Sequence, residues 1–274
     1  MNDSEGFGFR KRPAGNSRLM KEYRREAKPN SGLAVVVGLV IILAWQGIAM
    51  VLAKPYILPT PIQVIIRMWE LRKQLLTVHL PATLGITSIG LGISIILGLF
   101  LAIMMAEFPT WERALYPLVV SSQTIPTTAI APLFVLWFGY GIWSKVLVTI
   151  LMTFFPIAIN VHNGLKGVKR EHIELFLTYG ATRWQIFWKL RVWIALPHFL
   201  AAIKMAIPLS LIGAAIAEWL GGQAGLGYFS KRMITQLDGA AVFAPIVLLS
   251  VVAIICVSVI GGIERRVITW TQDR

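Results

Sequence analysis

Residues 33 to 53, LAVVVGLVIILAWQGIAMVLA, run for 21 positions without a charged side chain. As a helix such a run is roughly 30 Å long, the thickness of the hydrocarbon core of a bilayer. No water there satisfies backbone amides, so a single crossing segment has to be helical. Similar runs recur at about 80–106, 114–138, 145–161, 198–220 and 243–263, which predicts six spans. The chain is 56% hydrophobic and only 14% charged. That balance excludes an ordinary soluble domain and predicts an all-α polytopic membrane protein.

The segments between the runs carry the organisation. Residues 1–32 are basic and poor in large aliphatic side chains, and read as a disordered cytosolic tail that precedes a signal anchor rather than a cleavable leader. After the first run comes the Pro-rich KPYILPTP, residues 54–61. Ile62, Ile65, Ile66, Trp69 and Leu76 then share one helical face, as in a helix lying at the interface. Gly85, Gly90, Gly92 and Gly98 suit the second span to close helix packing. In the third, Pro126 and Pro132 predict a kink, with five Ser and Thr hydroxyls at hand for the freed carbonyls. The longest polar interruption is 162–197, the main soluble-facing loop, and 221–228 is a Gly-rich turn. These boundaries divide the chain into the tail, a membrane domain over 33–266, and a short cytosolic tail over 267–274.

The net charge of +13 has a topological explanation. With the N-terminus inside, 18 Lys and Arg fall on the cytoplasmic side and 7 on the other. This bias puts both termini in the cytoplasm and makes a nucleic-acid partner unnecessary.

Chemistry of its own is not evident. The sequence holds no Gly-rich phosphate loop, no Gly-x-Ser-x-Gly, no His-Glu-x-x-His and no paired carboxylates, so neither catalytic nor metal or cofactor residues are assigned. Four scattered histidines and the lone Cys256 do not make a site. Lys204 and Glu218 are the ionisable residues inside spans; both lie near an end of the fifth and read as snorkelling to the interface. With no evident coupling ion, the energy source is expected to be a partner. In the long loop, HIELFLTYGATRWQIFWKLRVWIALP reads as a helix, a Gly-Ala-Thr break at 180–182, and a second helix entering the membrane after Pro197. Thr182 is placed to cap that second helix.

Here the sequence resembles the permease subunits of ABC importers, which carry a cytoplasmic Glu-Ala-Ala loop with a Gly further on. Glu174 stands at the Glu position and Gly180 at the Gly, while Leu175 and Phe176 replace the two alanines. Gly180-Ala181-Thr182-Arg183-Trp184 is similar to the version found in the nitrate, sulfonate and taurine branch. LPTP, TIPTTAIAPLFVLWFGYG and AEWLGGQAGLGYF resemble the same branch, most nearly its permeases for thiamine-pyrimidine precursors or riboflavin.

The resemblance implies a type I importer permease fold in the bacterial inner membrane. It also implies a homodimer, cytosolic ATPase subunits and an extracytoplasmic substrate-binding protein. Glu174, Gly180, Ala181, Thr182 and Arg183 would then couple to the ATPase. Gln123, Thr124, Pro126, Thr127 and Thr128 are candidates for lining the path, with hydrogen-bonded helix packing as the alternative. Gly222, Gln223, Gly225 and Gly227 are candidates for touching the binding protein, or simply for turning the chain. The cargo would be a pyrimidine precursor, riboflavin or a sulfonate- or nitrate-like anion. A secondary transporter is the main rival reading, and a membrane enzyme or channel the others.

Overall fold

The computed structural model describes residues 31–269, which are helical apart from short connections. The basic tail predicted for 1–32 lies almost wholly outside them. Helix α1 (Ser31–Leu52) is a unit of its own, apolar on all sides and largely exposed, as a helix facing lipid is. The second unit holds α2 (Pro61–Glu70), α3 (Arg72–Glu107), α4 (Pro109–Ser121), α5 (Thr127–Phe138) and α6 (Ile142–Lys166). It continues with α7 (Arg170–Thr178), α8 (Arg183–Gly221), α9 (Leu226–Thr235) and α10 (Gly239–Val267).

At the centre, α6 is packed between α3 and α8. Small residues allow this approach: a Cβ on Gly90 would sit 2.6 Å from Thr149 Cγ2, and one on Gly98 would sit 2.7 Å from Ile157 Cγ2. Gly85 and Gly92, expected to serve the same purpose, face open space. The buried Ser94 and Thr153 hydroxyls meet across the helices at 2.6 Å. Toward one end Ala102, Ile157, Val161, Ala202, Ile203 and Ala206 close the apolar core. We call that end, which carries α7, the elbow end, and the opposite one, which carries α2 and α9, the cap end.

Three sequence expectations change. The third span is broken rather than kinked: α4, extended by a 3-10 turn over Ser122–Thr124, and α5 meet at 97°. Pro126 has no amide to continue the ladder and holds Ile125 extended, at φ −84° and ψ 120°. Pro117 and Pro132 sit inside their helices without ending them. Among the described residues five helices are therefore long enough to cross a membrane alone, and the sixth span exists if the bent pair counts as one.

Secondly, the 162–197 loop contracts to 167–182, because α6 runs on to Lys166 and α8 begins at Arg183 and passes through Pro197 and Pro208 unbroken. A wide π-turn over Phe187–Arg191 lies in the first part of α8, and prolines of this kind are tolerated in helices packed among others. Thirdly, the interfacial helix ends at Glu70, so Leu76 belongs to α3. Its start is fixed by Thr60, whose hydroxyl accepts from the Gln63 amide at 3.2 Å while Gln63 Oε1 accepts from the Thr60 amide at 2.9 Å.

Candidate functional site

At the elbow end, α7 stops where Gly180 turns left-handed at φ +76°, a conformation that a Cβ disfavours. The Ala181 amide donates to Phe176 O at 3.0 Å and the Gly180 amide to Leu177 O at 2.9 Å, so the last carbonyls of α7 are satisfied. Two residues on, Thr182 opens α8 with a reciprocal cap: its hydroxyl accepts from the Gln185 amide and its amide donates to Gln185 Oε1. Glu174, Gly180, Thr182 and Arg183 are brought together on this elbow and exposed, with Ala181 half-buried among them. Glu174 accepts from Arg170 Nε at 2.8 Å one turn back. Leu175, Leu177 and Tyr179 stand out beside them, Tyr179 at 82% exposure, an unusual apolar display for a polar loop.

Ion pairs tie the base of the elbow to the bundle. Arg191 bonds Glu107 at 2.7 Å, joining α8 to α3, and Lys166 bonds Glu112, joining α6 to α4. His162 Nε2 lies 3.2 Å from the same Glu112. Lys204 pairs with Glu264 on α10, so it does not snorkel as the sequence suggested.

Between the ends, the break at 125–126 exposes Gln123, Thr124, Pro126 and Thr128 and half-buries Thr127. The Ser122 and Thr124 hydroxyls donate to Val119 O and Ser121 O, each at 2.7 Å, satisfying carbonyls that the break frees. Thr128 faces a cavity of about 580 Å³ between α5, α8 and α10. Of the five residues expected to line a path, it is the one the structure places on this cavity.

The cap end holds a cluster that sequence reading missed. Glu218 is fully buried, so its snorkelling reading also falls. Its Oε2 accepts from the Gly227 amide at 2.8 Å. Beside it, His79 Nδ1 accepts from the Gly225 amide at 3.2 Å and Thr83 Oγ1 from the Leu226 amide at 2.8 Å. The first amides of α9, which have no partners in their own helix, are thus capped by side chains of α3 and α8. Glycine is required at two of these positions. Gly225 has φ +116°, and a Cβ there would lie 2.1 Å from Glu218 Cδ; one on Gly227 would lie 2.2 Å from Ala215 O. Gly225 and Gly227 are accordingly buried, Gly222 is half-buried, and Gln223 is exposed.

Lys145, also buried, donates to Tyr140 O and Gly141 O at 2.8 and 2.9 Å. Arg67 bridges Glu70 and Asp238, and those hydrogen bonds, Glu70's first, raise its guanidinium pKa above the ordinary value. Among the described residues no group of three or more His, Cys, Asp or Glu is gathered as a metal site.

A helical bundle with a half-helix break at its middle and an exposed elbow at one end is the build of a transport subunit that works through partners. Residues 94–269 match the family model described as binding-protein-dependent transport system inner membrane component, and the chain belongs to that family. It is a multi-pass inner-membrane permease subunit of an ABC importer, whose ATP hydrolysis resides in a separate chain.

Among its relatives is the formylaminopyrimidine transport permease protein ThiX of Halalkalibacterium halodurans, 51% identical over 86% of this chain and 94% of that protein. The riboflavin transport system permease protein RibX of Chloroflexus aurantiacus is 32% identical over 92% of this chain and 94% of its own length. The putative aliphatic sulfonates permease SsuC of Bacillus subtilis is 32% identical over 85% and 86%. A solved structure of the MetNI methionine ABC transporter, inward facing, shares the fold at TM-score 0.50 and 18% identity, covering 74% of this chain and 98% of that one.

Proposed function

We propose that two copies of this chain form the membrane path of an importer for a small pyrimidine of the formylaminopyrimidine kind. The cap end faces outward and both termini face the cytoplasm, as the excess of Lys and Arg at the elbow end and tails favours. The elbow built from Glu174, Gly180, Ala181, Thr182 and Arg183 seats in the ATPase subunit, and motion there changes which side of the bundle is open. The observation that carries this reading is the elbow itself, a doubly capped turn on which Leu175, Leu177 and Tyr179 stay exposed among the described residues. The cargo assignment is supported by the 51% identity to a permease named for formylaminopyrimidine. Gln123, Thr124, Pro126, Thr127 and Thr128, at the break, line the path, and Gln223 on the cap is where the binding protein touches.

The reading is tested by uptake of labelled formylaminopyrimidine into proteoliposomes holding the chain, its ATPase and its binding protein. Wild type is expected to accumulate label only with ATP inside the ATPase compartment. Ala181→Glu is expected to insert normally, release the ATPase on purification and take up nothing. Full uptake by Ala181→Glu overturns the coupling assignment, and ATP-independent uptake by wild type favours a secondary transporter.

A further inference from the structure

Trp219 and Leu220, in the last turn of α8, line two separate cavities at once. On the side away from the cap is the chamber of about 580 Å³ between α5, α8 and α10. On the cap side is a second space of about 500 Å³, walled also by Tyr140, Tyr228, Lys231, Arg232 and Thr235. The two spaces differ in chemistry. The cap-side vestibule carries two cationic side chains, whereas the chamber has no ionisable group on its walls and offers Thr128 and Ser250 as its hydroxyls. Ser250 donates to Ile246 O at 2.9 Å within its helix, so its oxygen is left to accept. In the single chain the chamber is open along one side, where Ile212, Trp219, Leu220 and Ile246 are exposed. Its volume suits a small ring, and its apolar walls offer an ion no counter-charge for the water it gives up.

The partition is held from the cap. Lys231 Nζ donates to Trp219 O at 2.7 Å, and the residue before, Glu218, binds the Gly227 amide. Two consecutive residues of α8 are thereby fastened to α9, so a shift of α9 is passed directly to the wall between the cavities. We propose that Trp219 and Leu220 are a gate between a cationic vestibule and an uncharged inner chamber that admits cargo without formal charge. This rests on the importer reading, in which a second copy covers the chamber's open side, and on the cap end facing outward.

The test is thiol modification in right-side-out vesicles holding the assembled importer, with Cys256, the native cysteine, replaced by Ser. Thr235→Cys reports the vestibule and Ala253→Cys the chamber. Two methanethiosulfonate reagents are compared, neutral hydroxyethyl and anionic, membrane-impermeant sulfonatoethyl. Both are expected to modify Thr235→Cys quickly and Ala253→Cys slowly. Adding Trp219→Ala should raise the neutral reagent's rate at Ala253→Cys by about tenfold, the change in open population of a gate otherwise about nine-tenths closed. The anionic reagent should stay slow there, and Thr235→Cys should be unaffected.

Fast modification of Ala253→Cys with Trp219 present, or no change on its removal, overturns the gate. Equal rates for the two reagents at Ala253→Cys after Trp219→Ala overturn the uncharged chamber. If Thr235→Cys resists the anionic reagent in these vesicles but reacts in inverted ones, the orientation is wrong and the proposal falls with it.

Discussion

Replacing Gly227 by alanine adds one methyl group at the tightest point of the cap. Its Cβ would lie 2.2 Å from Ala215 O and 2.8 Å from Ala215 C and Cα, all backbone atoms of α8 that no rotamer change can move aside. Relief to ordinary contact at about 3.4 Å requires α9 to lift by about 1 Å, and overpacking of this kind costs about 1–3 kcal/mol. Lifting α9 also stretches the Gly227 amide bond to Glu218, 2.8 Å in the native cap, and an unpaired buried amide costs about 1–3 kcal/mol more. At roughly 2–4 °C per kcal/mol, the purified subunit should melt roughly 5 °C or more below wild type. The assay is apparent melting in detergent followed by size exclusion at a fixed heating rate, since unfolding of such a protein is a rate measurement. Gly92→Ala is the matched control: the same methyl in a helix, with nothing within 4 Å of the new Cβ, and no expected loss. Equal melting of Gly227→Ala and wild type would refute the account of the cap.

Three further outcomes are expected. Gly180→Val forces a β-branched residue to φ +76°, a strain of about 1–2 kcal/mol even though nothing lies within 4 Å, so it should weaken ATPase co-purification and lower melting by about 2–8 °C. Thr182→Ala removes the cap of α8 and should cost about 1 kcal/mol, seen as faster amide exchange confined to residues 183–186. A double-mutant cycle on Lys204 and Glu264, half-buried partners on α8 and α10, should give a coupling of about 0.5–1 kcal/mol that falls in high salt.

What the sequence made legible is what depends on neighbours along the chain. The charge-free run at 33–53, the helix break at 180–182 and the cap at Thr182 are local signals, and each appears as a local structure. Proline misled because its effect depends on solvent. Pro197 looks like a helix start, yet α8 passes through it, as helices packed within a membrane bundle tolerate proline. Pro126, set in a Ser- and Thr-rich stretch that caps its own carbonyls, does break the chain, and by more than a kink.

Glu218 was misread for a different reason. One residue among apolar neighbours says nothing of the amides that will meet it, which come from α9, nor of His79 and Thr83, more than 130 residues earlier in the chain, which cap the same turn. The spacing Gly222, Gly225, Gly227 after that glutamate was the one available hint. Three glycines so close to a buried acid mark a place where backbone must press against a side chain.

Helix α8 is 39 residues without interruption, so at 1.5 Å per residue it is a rod of roughly 58 Å. Its first turn is the elbow and its last holds Trp219. Few soluble enzymes connect their regulatory and working ends with one covalent object; most rely on a relay of separate contacts, each free to slacken. With the elbow coupled as proposed, leverage replaces relay: a tilt of about 5° at one end of such a rod sweeps the other by about 5 Å, close to the pitch of a helical turn. Timing between the two faces of the membrane is then a matter of stiffness, and a hinge engineered into the middle of α8 would act as a clutch, letting one end work while the other idles.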